Sequence, residues 1–170
     1  MSPQPDKEEF LKLIQDNKRI IYKICNAYCH NSNDREDLAQ EIIYQLWKSA
    51  GSFNDGHKFT TWMYRVALNT AISFYRKENK NNPLVSISEH HTNIEDRNDG
   101  AKDIEENINL LQQFINELKE LDRALMILYL DEKSCGEIAE ILGITETNVA
   151  TKISRIKEKL KQKFLTINNQ

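Results

Sequence analysis

Trp62, Arg65, Asn69, Ser73 and Arg76 recur at intervals of three and four residues within FTTWMYRVALNTAISFYRK (59–77). Wound as a helix, they fall within about 80° of one another. They form one stripe of an indole, two guanidinium groups, an amide and a hydroxyl on a segment that is otherwise apolar almost all round. Together such groups suit unpaired nucleic acid: guanidinium meets phosphate, an aromatic face stacks on an unstacked base, and an amide reads a base edge. Alone, the stripe is equally served by a core tryptophan beside solvated arginines, so a second signal is required.

That signal lies in SCGEIAEILGITETNVATKISRIKEKL (134–160). Ser134 and Glu137 have capping-box spacing and start a helix that turns Ile138, Ala139 and Leu142 inward. Gly143 suits the left-handed position that ends it, and Thr145 caps a second helix of about twenty residues. A small Ala139 at the crossing, glycine in the turn and Val149 as an anchor make a helix-turn-helix. Val149, Ile153, Ile156, Leu160 and Phe164 share one face of the second helix, with Thr147, Thr151, Ser154, Arg155 and Glu158 opposite. Hydroxyls and an arginine can approach base edges in a major groove, flanked by Lys152, Lys157, Lys159, Lys161 and Lys163 for phosphates.

A third pattern occupies DREDLAQEIIYQLWKS (34–49), where Asp34 reads as an N-cap and the helix ends before Gly51. Leu38, Ala39, Ile42, Ile43, Leu46 and Trp47 fall on one face, and Asp37, Gln40, Glu41, Tyr44, Gln45 and Lys48 on the other. Cys25, Cys29 and His30 form a CxxxCH sequence that suggests zinc or a redox pair, but no fourth ligand has useful spacing. Cys25 lies on an apolar stripe, so the expectation is packing and no metal. Gly-rich phosphate loops, nucleophile elbows and paired His/carboxylate spacings are missing from the sequence. The expectation is therefore a binding protein, not an enzyme, without cofactor or small-molecule substrate.

The elements that position these groups follow from composition. With 5 Gly and 3 Pro in 170 residues, 39% hydrophobic and 29% charged, the chain is expected to be all-α. No apolar run approaches the ~20 residues of a membrane span. The polar start MSPQPDKEEF has no signal-peptide core, and three cysteines fit a reduced cytoplasmic compartment. The net charge of −3 hides an uneven distribution: residues 1–80 carry net +2, 81–107 net −5, and 108–170 net zero, with six basic side chains and one acid in 152–163. Residues 81–107 have no sustained apolar period and read as a flexible acidic linker between two small helical domains, 1–80 and 108–170. Its charge suggests that it shields the basic faces of the free protein. The first domain is read as one helix carrying Phe10, Leu13, Ile14, Ile20, Ile21, Ile24, Cys25 and Tyr28, then the 34–49 helix, then one over about Thr60–Lys80, stopped by Pro83. The second opens with helices over Ile104–Leu118 and Asp122–Leu130.

The blocks 34–49, 59–77 and 134–160 together resemble three successive parts of a bacterial RNA polymerase sigma factor of the small extracytoplasmic-function (ECF) subgroup. The resemblance spans nearly the whole chain except the linker, in the family's order. It implies that the 34–49 helix meets the β′ clamp coiled coil of core RNA polymerase through Asp37, Gln40, Glu41, Tyr44 and Lys48. It implies that the loop Ser52–Phe59, including Lys58 and Phe59, with Trp62, Arg65, Asn69 and Arg76, captures the melted non-template strand of the promoter −10 element. The second domain is then expected on the β flap, with Thr147, Ala150, Thr151, Lys152, Ser154 and Arg155 at the −35 element. An anti-sigma inhibitor is a partner that the family commonly has. Two departures stand out. Ala150 replaces the arginine of many relatives, removing a bidentate guanine reader, and the connection Leu121-Asp122-Arg123 is shorter than is usual there. A stand-alone helix-turn-helix repressor or activator is the competing reading; it would bind duplex operator unaided, and the stripe in 59–76 and the block 34–49 speak against it.

Overall fold

The computed structural model describes residues 6–54, 56–81 and 99–169, with the side chains of 81 and 99–101 left aside. All regular structure among these residues is helical: α1 (Lys7–Asp16), α2 (Lys18–Tyr28), α3 (Ser32–Lys48), a 3-10 turn (Ala50–Ser52), α4 (Phe59–Asn81), α5 (Asp99–Glu117), α6 (Glu120–Leu130), α7 (Cys135–Leu142) and α8 (Glu146–Asn168).

In the first domain α4 is the central element, packed on both α2 and α3. Leu38, Ile42 and Leu46, one helical turn apart on α3, are fully buried against Met63, Ala67, Leu68 and Ala71 of α4 and Ile21, Ile24 and Cys25 of α2. The expected single first helix is two. Asn17 breaks it, with φ −113° and ψ 18° and its side-chain amide donating to the Leu13 carbonyl at 2.8 Å. Such local side-chain bonds compete with the helical ladder. The apolar positions Phe10, Ile14, Ile20, Ile21, Ile24 and Tyr28 stay buried across the break. The cap of α3 is Asn31, whose Oδ1 accepts from the Asp34 amide at 2.8 Å; Asp34 lies in the first turn, where its charge favours the helix N-terminus.

The second domain follows the expected layout with two shifts. Helix α5 starts at Asp99, so residues 99–107 are helical where a linker is expected. The rest of that linker, and its expected shielding role, lies outside the described residues. Leu121-Asp122-Arg123 is not a connection but the first turn of α6, which begins at Glu120. In the helix-turn-helix, Ser134 accepts from the Glu137 amide at 3.1 Å, and Thr145 accepts from Asn148 at 3.1 Å. Gly143 takes φ 69°, a left-handed conformation that costs an ordinary L-residue about 1–2 kcal/mol. Ile138 and Val149 are fully buried at the helix crossing.

The two domains pack on each other, α6 and α7 lying against α4 and α6 also against α2. Arg123 is 1% exposed at the centre of this contact. It donates to the carbonyls of Asn116 (2.6 Å) and Leu118 (3.1 Å) in its own domain and Ala27 (3.1 Å) in the other. Its guanidinium carbon lies 5.2 Å from the centre of the Tyr28 ring and 4.8 Å from that of Tyr75. Around it, Tyr28 donates to the Glu120 carbonyl (2.6 Å), Arg76 pairs with the Glu120 carboxylate (2.8 Å), and Asp131 accepts from Lys23 (2.7 Å) and from the Tyr64 hydroxyl.

These contacts titrate. The hydrogen bond from Arg76 chiefly holds the Glu120 carboxyl below its ordinary value, against partial burial. For Asp131 burial opposes ionisation, but the hydrogen bonds from Lys23 and Tyr64 outweigh it and its pKa is also lowered. A depressed folded-state pKa gives stability that is present above the unfolded carboxylate range and is lost as pH falls through the folded value. The urea midpoint is therefore expected to fall as pH drops from about 5 towards 3, and to fall less steeply in Glu120→Gln/Asp131→Asn, as measured by circular dichroism across a pH series.

Candidate nucleic-acid interface

Helix α3 presents its polar face outward. Asp37, Gln40, Glu41, Tyr44 and Lys48 are all exposed, Tyr44 by 56%, and Gln45 braces Glu41 through a 3.0 Å hydrogen bond. The apolar face expected to pack is narrower than its wheel: Ile43 is 44% and Trp47 42% exposed. Only the 38/42/46 row reaches the core, because residues one step along lie about 100° round the helix. Trp47 rests against Phe10, ring centres 5.8 Å apart, with Lys7 over its ring. The outer surface of α3 is therefore a mixed polar and aromatic face, in which Tyr44 and Trp47 are of the residue types that interfaces favour.

The loop between α3 and α4 folds around aromatic rings. Phe53, Phe59 and Trp62 have mutual centre distances of 5.5–5.6 Å, and Phe10 supports Phe59 at 6.1 Å and Trp62 at 5.9 Å. The Trp62 indole donates to Ser52 Oγ at 3.3 Å. Asn54 closes the turn by accepting from the Gly56 amide at 2.8 Å. Trp62 is thus half-buried, one edge of a built aromatic cluster and not a free indole. Lys58, Arg65, Asn69, Ser73 and Arg76 are exposed.

The stripe read from the sequence does not act as one surface here. Asn69 and Ser73, with Thr70, Phe74 and Lys77, face Glu41 and Gln45 of α3 across an open cleft of about 490 Å³. Arg65 and Trp62 lie outside the lining of that cleft. Arg76 turns to the other domain and pairs with Glu120 at 2.8 Å, and Lys58 faces Glu137 of α7 at 3.7 Å.

Helix α8 carries Thr147, Ala150, Thr151, Ser154 and Arg155 on its exposed side, opposite buried Val149, Ile153 and Ile156. Thr151 donates to the Thr147 carbonyl at 2.9 Å, which leaves its oxygen as an acceptor. The lysines differ among themselves. Lys152 is partly buried and pairs with Asp122 at 3.3 Å, Lys163 pairs with Glu117, and Lys157 lies 4.6 Å over the Tyr129 ring. Lys159 and Lys161 are exposed. The residue that sequence reasoning missed is Arg123. Its signal was available, since LDRALMILYL places one arginine at the head of an apolar run where a solvated charge has no room.

Two family models match the chain in order: Sigma-70 region 2 over residues 13–81 and Sigma-70, region 4 over residues 108–160. Among similar proteins, the ECF RNA polymerase sigma factor SigW of Bacillus subtilis is 31% identical, covering 94% of this chain and 90% of its own. RNA polymerase sigma factor SigV of the same organism is 28% identical, covering 89% of each. The ECF RNA polymerase sigma-E factor of Escherichia coli is 26% identical, covering 93% of this chain and 87% of its own. The fold is that of CnrH in its complex with the cytosolic domain of CnrY (TM-score 0.67, 16% identity, 95% and 91% covered). It is also that of the sigma factor RpoE with the anti-sigma factor NepR from Bartonella quintana (TM-score 0.69, 17% identity, 91% and 96% covered).

The CxxxCH sequence has the environment of packed side chains. Cys25 and Cys29 are buried, and burial pushes their thiols up to about 11 and about 12. Arg35 donates to the carbonyls of Cys29 (3.2 Å) and His30 (3.4 Å), tying the segment to α3. Among the described residues no group of three or more His, Cys, Asp or Glu is placed to hold a metal ion. Thiolate is the reactive form. A disulfide-exchange reagent at pH 8 is expected to modify one thiol quickly, exposed Cys135, and the other two only with denaturant. Rapid native reaction of all three would contradict the burial.

Proposed function

The chain belongs to the ECF group of sigma-70 RNA polymerase factors, and from that membership we propose which of its faces takes each part of promoter recognition. As a sigma factor it binds core RNA polymerase and directs it to promoter DNA for initiation; the work is binding and strand separation, without bond-making chemistry of its own, in the cytoplasm. Among the described residues no helix is long and apolar enough to cross a membrane.

In this reading residues 1–80 hold the polymerase anchor and the −10 reader, residues 108–170 hold the −35 reader, and 81–107 join them. Asp37, Gln40, Glu41, Tyr44 and Lys48 meet the β′ clamp coiled coil. Lys58, Phe59, Trp62, Arg65, Asn69 and Arg76 receive the non-template strand of the −10 element. Thr147, Ala150, Thr151, Lys152, Ser154 and Arg155 face the −35 element while their domain docks on the β flap. An anti-sigma factor is a further partner, as for the RpoE relative whose solved complex contains one.

One observation carries this division. The packed α3–α4 pair exposes the polar face of α3 and, beside it, opens the Asn69-lined cleft, whose rim shares Glu41 with that face. Anchoring α3 on the enzyme therefore fixes the cleft relative to the DNA that the enzyme opens. The half-buried aromatic cluster at Phe59 and Trp62 offers ring faces to unstacked bases, each such stack being worth about 1–3 kcal/mol. In the second domain Arg155 is the one residue of the face that can hold a guanine through two hydrogen bonds; Ala150 leaves its position to apolar contact. Two modest contacts held on one enzyme reinforce each other through effective concentration. The stand-alone repressor reading is not favoured, because it leaves the region 2 match over 13–81 without a purpose.

Reconstitution with core RNA polymerase on genomic DNA, followed by mapping of transcript 5′ ends, is the test. Starts that share two spaced sequence elements are the expected result, and their absence overturns the reading. On such a promoter Arg155→Ala is expected to weaken binding by about 1–3 kcal/mol, roughly five- to 150-fold, only when the −35 element is present. Asn69→Ala is expected to lower open-complex formation on duplex templates and to be rescued on a template already melted at the −10 element.

A further inference from the structure

Within residues 147–155, which carry the proposed base-reading face, only Lys152 and Arg155 are cationic. Arg155 is exposed, but Lys152 turns back into its own domain, its ammonium donating to Asp122 Oδ1 at 3.3 Å. Their side chains are 29% and 24% exposed, the most covered ion pair among the described residues. Helix α6 supplies this acid and, two turns further on, Tyr129, whose ring centre lies 4.6 Å from Lys157 Nζ. One element thus grips the reading helix by two of its lysines. We propose that Asp122 is a positioning residue that restrains the −35 reader: it withholds Lys152 from the DNA backbone, so that unselected duplex is gripped by one cation fewer. This rests on the assignment of α8 to the −35 element.

Two features make the pair a restraint and not a strut. The first is access. An ion pair that is still about a quarter exposed adds little to stability, and a phosphate can reach the ammonium through solvent. The second is unequal freedom. Asp122 lies in the first turn of α6 beside Arg123, which the carbonyls of Asn116 and Leu118 hold, so the carboxylate cannot follow a departing lysine. Lys152 has a flexible four-carbon stem and a point charge that any phosphate satisfies. Each phosphate so neutralised changes the salt slope of duplex binding by about −0.9, whatever the sequence. A free lysine inside 147–155 would add that gain on every sequence; Asp122 cancels it until a phosphate comes close enough to take its place. Contacts of Thr151, Ser154 and Arg155 with base edges are what seat the helix that closely.

The test uses holoenzyme formed from the full-length chain and core RNA polymerase, on a duplex promoter fragment whose −35 element is scrambled. Binding is titrated across a salt series, with circular dichroism of each free variant as the folding check. Asp122→Asn is expected to bind about fivefold tighter at the low-salt end and to steepen the salt slope by about 0.9. A merely structural aspartate would give weaker binding or none of this change. Asp122→Ser, which removes the same charge, should repeat the result, and Asp122→Glu should keep the parent's slope. Made in a Lys152→Gln background, Asp122→Asn should add no more than Asp103→Asn, a matched charge change on the exposed surface of α5. An unchanged slope, weaker binding, the same gain without Lys152, or loss of the fold in both the Asn and Ser variants each overturns the restraint. If the parent holoenzyme does not distinguish an intact −35 element from the scrambled one, the assignment of α8 fails and the restraint with it. Where it does distinguish them and the slopes are equal, the restraint fails alone.

Discussion

The arrangement turns on a buried positive charge that no carboxylate among the described residues pairs with directly. Arg123 lies 1% exposed where the domains meet, solvated by three backbone carbonyls and two aromatic faces in place of water. Charge transfer into a protein interior is costly unless every direction around it is polar or polarisable. Here the directions are divided between the domains: Asn116 and Leu118 on one side, Ala27, Tyr28 and Tyr75 on the other. Neither half alone satisfies the group, which makes the contact specific in register and brittle once disturbed. Tyr28 contributes twice, through its ring and through the hydroxyl that donates to Glu120. Burial, first, drives its own ionisation well above the ordinary range, so it remains a donor at any physiological pH.

The same division of labour recurs within the first domain. The core of α2, α3 and α4 is a set of largely aliphatic rows with Tyr64 buried among them, so apolar packing does most to hold the helices in place, with Arg35 tying the end of α2 to α3. Everything that differs from an ordinary bundle is on the outside: the exposed α3 face, the aromatic loop and the Asn69 cleft. A packed pair of helices whose exposed face and cleft share Glu41 can couple one binding event to another simply by geometry, since what fixes the face orients the cleft. The second domain repeats this with less material, using capped turns at Ser134 and Thr145 and the glycine conformation at Gly143 to fix α7 against α8.

Much of this was legible because local rules and packing agreed. The capping residues Ser134 and Thr145, the left-handed Gly143 and the Val149 row could be read from residue types alone, since each has one low-energy use. The all-helical class followed from periodicity and the scarcity of Gly and Pro. The boundaries that moved did so where a side chain outcompeted the pattern: Asn17 turned back on Leu13 and split a helix whose apolar period continues unbroken, and Asn31 took the cap that Asp34 also suits. The wheel of α3 overstated burial at Ile43 and Trp47 because periodicity gives direction, not depth; depth depends on how many neighbours surround the helix. The site was legible as a set of residue types, yet its division was not. Sequence spacing put Arg76 beside Asn69, while the structure sends one to Glu120 and the other to the α3 cleft, and only the partner domain decides that.

The uneven charge of the sequence finds a use in this contact. A protein with net charge −3 is a poor nucleic-acid binder as a whole, so its cationic groups must either be concentrated or be uncovered on demand. Lys58 and Arg76 stay exposed but pair with carboxylates of α7 and α6, and Lys152 and Lys163 are held by Asp122 and Glu117 within the second domain. An ion pair at such exposed positions contributes little to stability, with a median near 0–1 kcal/mol. It does matter for recognition, because each pair must be exchanged for a phosphate and the exchange is close to neutral in energy. Surfaces built this way discriminate by context: free DNA offers one exchange at a time, whereas an enzyme that holds both domains and an opened promoter offers all of them together.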